Sequence, residues 1–205
     1  MKKKLLALMI ATALTVSLFA MTGCGSSSSE SSTSEDGELL SGIHHVEINV
    51  KDYGTIKVEL DADTAPITVT NFVKLADSGF YDDLTFHRVL SGFMIQGGDP
   101  NGNGTGGSDE TIKGEFSDNG VENNISHERG VISMARATDY DSASSQFFIM
   151  HADATYLDGQ YAAFGHVTDG MGIVDNICND TPTQDSNGSV ASEDQPVIES
   201  IIVTD

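Results

Sequence analysis

The sequence predicts a mainly β domain whose antiparallel strands are capped by two helices. Three observations carry this. Apolar residues alternate with polar ones in short runs, as at Val46, Ile48 and Val50. Glycine-bearing turn signals separate the runs, as at Asp52-Tyr53-Gly54 and Ser91-Gly92. Helical character is confined to two stretches, near residues 66–78 and 172–177. A barrel and a sandwich both satisfy this pattern, and periodicity does not choose between them.

The chain opens on Met1-Lys2-Lys3-Lys4, a cationic start, followed by the apolar run Leu5–Ala20 of 16 residues. That is shorter than the ~20 residues a membrane span needs. The run leaves through Met21-Thr22-Gly23-Cys24-Gly25. The segment resembles a bacterial lipoprotein signal, in which the cysteine becomes the lipid-modified first residue. Met21 stands where such signals prefer leucine. A plain signal peptide with a chance cysteine and an uncleaved anchor helix are the alternatives. On this reading residues 1–23 are a leader, residues 24–42 a disordered Ser- and Glu-rich tether, and residues 43–205 the folded domain. Cys24 would hold the domain at the extracytoplasmic face of a bacterial membrane, as a monomer.

Net charge is −21 over 205 residues, and removing residues 1–23 leaves 7 cations against 31 acids, or −24. Such a chain repels nucleic-acid phosphates and anionic membrane surfaces, so membrane contact requires an anchor. Cys24 and Cys178 are the two cysteines; they make no disulfide framework and no metal-binding pair. His44-His45 has no third ligand nearby, and the acid pairs, such as Asp61 and Asp63, read as solvated surface. No metal or cofactor is expected.

Within the domain, residues 46–50 and 56–60 alternate and form a hairpin. Asp63 or Thr64 is placed to cap a helix with Pro66 in its first turn. Val69, Phe72, Val73 and Ala76 give its buried stripe, and Gly79 stops it. Strands follow over 86–90 and 93–96. Strict alternation puts Phe86 with Arg88 on one face, His87 on the other, and Met94 with Gln96 together. Six glycines in the eleven residues Gly97–Gly107 make a loop. Residues 108–130 are polar and show little chemistry. Strands at 130–135, 146–150 and 161–167, the helix at 172–177 and a strand at 197–203 complete the chain.

Three blocks carry a specific resemblance. Phe86-His87-Arg88 precedes Gly92-Phe93-Met94-Ile95-Gln96-Gly97-Gly98-Asp99 and Gly104-Thr105-Gly106-Gly107. Ser133-Met134-Ala135-Arg136-Ala137 precedes Ser145-Gln146-Phe147-Phe148-Ile149, and Leu157-Asp158-Gly159 precedes Phe164-Gly165. In order and spacing, residues 46–203 resemble the cyclophilin family of peptidyl-prolyl cis/trans isomerases. The resemblance implies an eight-stranded closed antiparallel barrel with a helix at each end. It implies isomerisation of X–Pro bonds in polypeptides, with no cofactor.

The resemblance assigns roles residue by residue. Arg88 is the catalytic donor. Phe93, Met94, Phe148 and Leu157 form the proline pocket, though Phe and Met are also ordinary core residues. Gln96 and Gln146 orient the substrate backbone. Ala135, Arg136 and Ala137 line the groove, and Gly104 forms its edge. Tyr156 stands where the best-known relatives carry tryptophan and Tyr161 where they carry histidine. Arg136 replaces an asparagine found in many relatives, to steer acidic substrates or simply to be solvated. His87 is expected to be packed and satisfied. A binding module or holdase without turnover is the rival reading.

Overall fold

The computed structural model describes residues 38–205; the leader, Cys24 and the tether up to residue 37 lie outside the described residues. Eight strands and two helices follow in order: β1 Ile43–Val50, β2 Gly54–Asp61, α1 Pro66–Asp77, β3 Phe86–Leu90, β4 Met94–Gly97, β5 Val131–Met134, β6 Phe147–Met150, β7 Ala163–Asp169, α2 Met171–Asp180 and β8 Ile198–Val203. The alternation of β1 and β2 survives as a buried inner face (Val46, Ile48, Val50, Ile56, Val58, Leu60) and an outer face open to solvent. Leu40, assigned by sequence to the tether, packs against the core, and its N–H donates to Thr70 Oγ1 at 2.8 Å.

All pairings are antiparallel, in the order β3-β4-β6-β5-β7-β2-β1-β8. The expected closed barrel is therefore corrected to a curled, open sheet with β3 and β8 at its ends. The cause lies at β3. Its outer edge is taken by the loop after α2, through Val89 N–H to Gly188 O (2.8 Å) and Val190 N–H to His87 O (3.0 Å). β8 and the residues leading into it reach only the residues before and at the start of β3, where Phe86 N–H donates to Pro196 O (2.9 Å) and Ile198 N–H to Leu84 O (2.7 Å). Gly188 permits the intrusion: it has φ +81°, and a Cβ there would collide with the Val89 carbonyl oxygen.

The helices close the curl. The expected cap on α1 is not formed: Ala65 occupies the N-cap position and makes no side-chain bond. Asp63 and Thr64 are engaged instead in a turn on Asp61, whose Oδ1 accepts both their N–H groups. The orphan donors at the helix start are met by Glu115, buried at 2% exposure, which accepts from Ile67 N–H (3.0 Å), Thr68 N–H (2.8 Å) and the Thr68 hydroxyl (2.6 Å). Inside, Phe72 of α1 meets Tyr81, Phe147 and Phe164 with ring centroids 5.1–5.4 Å apart. Cys178 of α2 is buried, which pushes its thiol up to about 11, with Asp175 adding to the rise.

Candidate active site

One face of β4, β5, β6 and β7 carries a second apolar cluster, separate from the main core. Met94, Val131, Phe148, Met150, Ala154 and Ala163 are buried in it, and Phe93, Leu157 and Tyr161 pack on it half-exposed. Those half-exposed side chains open into a groove of about 610 Å³. Alternation places Met94 and Gln96 on this side of β4, and Phe148 on this side of β6, while Phe147 and Ile149 turn into the core. Phe93 is not on the strand; it sits in the turn before β4, its N–H on Leu90 O at 2.9 Å.

A polar row crosses the strands beside this apolar floor. Arg88 donates through Nε to Asn187 O (2.7 Å) and through Nη1 to Gln96 Oε1 (3.1 Å). Gln96 Nε2 donates to Gln146 Oε1 (2.8 Å), and Gln146 Nε2 to Gly106 O (2.8 Å). Each amide thus accepts from one side and donates to the other, which fixes its orientation. Arg88 takes only amide oxygens as partners, and its guanidinium carbon lies 5.9 Å from the Phe93 ring centroid. No carboxylate among the described residues neutralises it.

Of the residues singled out from the sequence, Arg88, Phe93, Met94, Gln96, Gly104, Ala135, Arg136, Phe148, Leu157 and Tyr161 line the groove. Ala137 and Gln146 line an adjoining cavity of about 310 Å³ that shares Gln96, Gly104, Ala135 and Arg136 with it. Tyr156 lines neither. It is 67% exposed and stacks on Phe93 at the rim, centroids 6.3 Å apart and planes at 21°.

His87 requires a correction. The β3–β4 register shifts between Phe86 and Arg88, a bulge that breaks the expected alternation. Phe86 goes to the core, while His87 lines the groove alongside Arg88 and is not on the opposite side. Nor is it satisfied: it is 5% exposed, and Nδ1 has no partner among the described residues. Burial holds its pKa below the usual histidine range, with Asp99 opposing and Arg88 reinforcing.

Three further features were not found from the sequence. The glycine loop is organised by Asp99, 1% exposed, whose carboxylate accepts the N–H groups of Asn101 (2.8 Å), Asn103 (3.1 Å) and Gly104 (2.5 Å). Burial alone would raise this carboxyl; those donors outweigh it and hold the pKa low. The segment from Gln184 to Gln195 forms the far wall of the groove, with Ser189, Ser192 and Glu193 on it. His127 lies beneath the floor, 1% exposed, stacked on Phe148 (6.0 Å, 18°) and hydrogen-bonded to Ser133 Oγ (3.0 Å) and Asp158 Oδ1 (2.9 Å). Burial lowers the His127 pKa, and the Asp158 bond only partly offsets this.

Comparison with known proteins agrees with this geometry. Residues 45–204 match the family model described as cyclophilin type peptidyl-prolyl cis-trans isomerase/CLD. The peptidyl-prolyl cis-trans isomerase B of Bacillus subtilis is 48% identical over 130 residues, covering 63% of this chain and 87% of that protein. A peptidyl-prolyl cis-trans isomerase of Helicobacter pylori is 46% identical over 126 residues, 60% of this chain and 74% of that protein. A solved cyclophilin type peptidyl-prolyl cis-trans isomerase of Cryptosporidium parvum superposes with a TM-score of 0.71 at 31% identity, over 80% of this chain and 99% of that one. The same protein in the presence of the dipeptide Ala-Pro gives 0.69 at 31% identity, over 78% and 99%.

Proposed function

The chain belongs to the cyclophilin type peptidyl-prolyl cis-trans isomerases, and on that premise we propose that it accelerates X–Pro rotation in exported polypeptides from a lipid anchor at Cys24. The uncatalysed rotation faces a barrier of ~18–20 kcal/mol from amide resonance and takes tens of seconds or more. Bringing it to milliseconds takes about 10⁴-fold, roughly 5–6 kcal/mol. No bond is made or broken. The task is to grip the proline ring and favour the twisted amide over the planar one.

The observation that carries this reading is an un-neutralised guanidinium fixed at the edge of an open apolar pocket. Phe93, Met94, Phe148 and Leu157 would hold the proline ring. In the twisted amide the proline nitrogen regains its lone pair, and Arg88 would donate towards it through the nitrogen not committed to Asn187 or Gln96. That bond exists only in the twisted state, which is the condition for rate acceleration. The Asn187 and Gln96 bonds hold the donor in place beforehand, so little reorganisation accompanies the reaction. Gln96 and Gln146 would orient the substrate backbone, and the backbone of 135–137 with Gly104 would border it. One chain supplies the whole groove, which supports action as a monomer.

Export and anchoring rest on the cationic start, the 16-residue apolar run and Cys24. With 7 cations against 31 acids once residues 1–23 are removed, the remaining chain gains nothing from an anionic membrane surface. Cys24→Ala should therefore move the protein from the membrane fraction to the soluble fraction. Retention of the variant on membranes after a high-salt wash would overturn the anchor. The isomerase reading is tested by the relaxation rate of a short X–Pro peptide: acceleration that saturates with peptide is expected. Peptide binding without acceleration would favour a holdase.

A further inference from the structure

Arg136 is the second cation of the groove, and its setting is unlike that of Arg88. Its guanidinium is packed among aromatic rings, Tyr161 of the groove among them. The Arg136 guanidinium carbon lies 4.8 Å from the Tyr161 ring centroid, 4.8 Å from that of Tyr140 and 5.3 Å from that of Phe116. Tyr161 in turn sets its ring edge-on to Phe148 of the apolar floor, 5.9 Å away at 84°. Arg136 Nε donates to Gln160 O at 3.0 Å, and Nη1 donates to Ala137 O at 2.9 Å and, more weakly, to Thr138 O at 3.4 Å.

Aromatic faces and carbonyl oxygens therefore fix this side chain, yet none of them removes its charge. Nη2 makes no hydrogen bond to the described residues. Arg136 lines both the main groove and the adjoining cavity, so it sits on the saddle between them. A guanidinium already held in one conformation gives up little freedom when it meets a carboxylate. The carboxylate lining the groove, Glu193, belongs to the Gln184–Gln195 segment that bonds Arg88 through Asn187 O, whereas Arg136 is held by Gln160 O and Ala137 O.

We propose that Arg136 is a specificity-determining residue that favours substrates with a carboxylate side chain beside the proline, on one side of it only. The proposal rests on the isomerase reading and deepens it by naming the substrate class. The acidic exterior opposes such peptides at long range, but that term is screened by salt, whereas a half-buried contact is screened less.

The test uses short peptides with Glu, Gln or Lys either just before or just after the proline. For the wild type, kcat/KM for Glu over Gln should be about threefold or more at one of the two positions and near one at the other. Arg136→Asn should bring the favoured ratio to one, and Arg136→Lys should keep part of it. Melting curves on both variants show whether the aromatic cage still folds. A wild-type ratio of one at both positions overturns the proposal, as does a preference that persists in Arg136→Asn. Equal slowing of Glu, Gln and Lys peptides in Arg136→Asn also overturns it, since that would mark a rim-shaping role. If no peptide is turned over, the isomerase reading fails. The same ratios measured as dissociation constants then decide the Arg136 proposal separately.

Discussion

Phe147 and Phe148 are neighbours on one strand and both are at most 5% exposed, yet they serve different regions. Phe147 enters the closed core, edge-on to Phe72, Tyr81 and Phe86. Phe148 enters the outer cluster, on the buried imidazole of His127 and under the half-exposed Tyr161. The core is completed by its own side chains. The outer cluster stops short, with Phe93, Leu157 and Tyr161 partly uncovered beside a fixed cation. The difference teaches that solvent exposure alone does not separate a structural from a functional aromatic residue. What separates them is whether the cluster closes on itself or leaves apolar surface for a ligand to cover.

The largest effect should come from breaking the closed side. Phe147→Ala should cost about 3–5 kcal/mol in urea or thermal unfolding, because the surrounding rings cannot collapse into the gap. Arg88→Ala tests the open side: turnover should fall about 10²–10³-fold, some 3–4 kcal/mol in the transition state. Stability should change by about 1 kcal/mol or less, and Arg88→Lys should restore little, having no fork of donors. Near-normal turnover in Arg88→Ala would remove it from the mechanism. Phe148→Ala should cost about 1–3 kcal/mol, less than Phe147→Ala because its site borders the groove and water can enter. It should weaken binding of an X–Pro peptide. Equal costs for the two phenylalanines would erase the distinction drawn between the regions.

The smallest effect is a pH dependence confined to the open side. His127 and His87 both have pKa values lowered by burial, so the unfolded chain binds their protons more tightly. Their contribution is complete above about pH 6.5 and is lost as pH falls below it. Carboxylates held low, such as Asp99 and Asp158, add losses only below about pH 4. Melting midpoints should therefore decline already between pH 7 and pH 5, and His127→Gln should flatten part of that decline. An unchanged slope in the variant would show that His127 does not contribute.

The sequence was most informative where one side of an element meets water and the other does not. β1, β2 and α1 could be placed from their patterns for that reason, with bounds off by a few residues. On β5 and β6 every residue is buried, so periodicity could not say which side faced the groove. The motif blocks, specific in order and spacing, named ten residues that line the groove and two that line the adjoining cavity, but also Tyr156, which lines neither. The bulge at β3 was illegible, and with it the orientation of His87. So was the open sheet, because it depends on a loop 99 residues beyond Arg88 bonding to the β3 edge. His127 and Glu115 lie in an irregular segment, where no local pattern marks a buried side chain whose partners are distant.

The Glu115 carboxylate has a consequence for how the chain reaches this state. It serves the first turn of α1 from 48 residues downstream of Ile67. Local sequence supplies no side-chain cap there, so the helix start is incomplete while the intervening segment is still searching. Closing that loop has an entropic cost that must be met before the contact forms. The first turn of α1 is thus expected to form late in folding, together with the docking of the segment around Glu115 and not ahead of it. In native-state hydrogen exchange the amides of Ile67 and Thr68 should open together with that segment, and Glu115→Gln should release them while the buried centre of the helix stays protected.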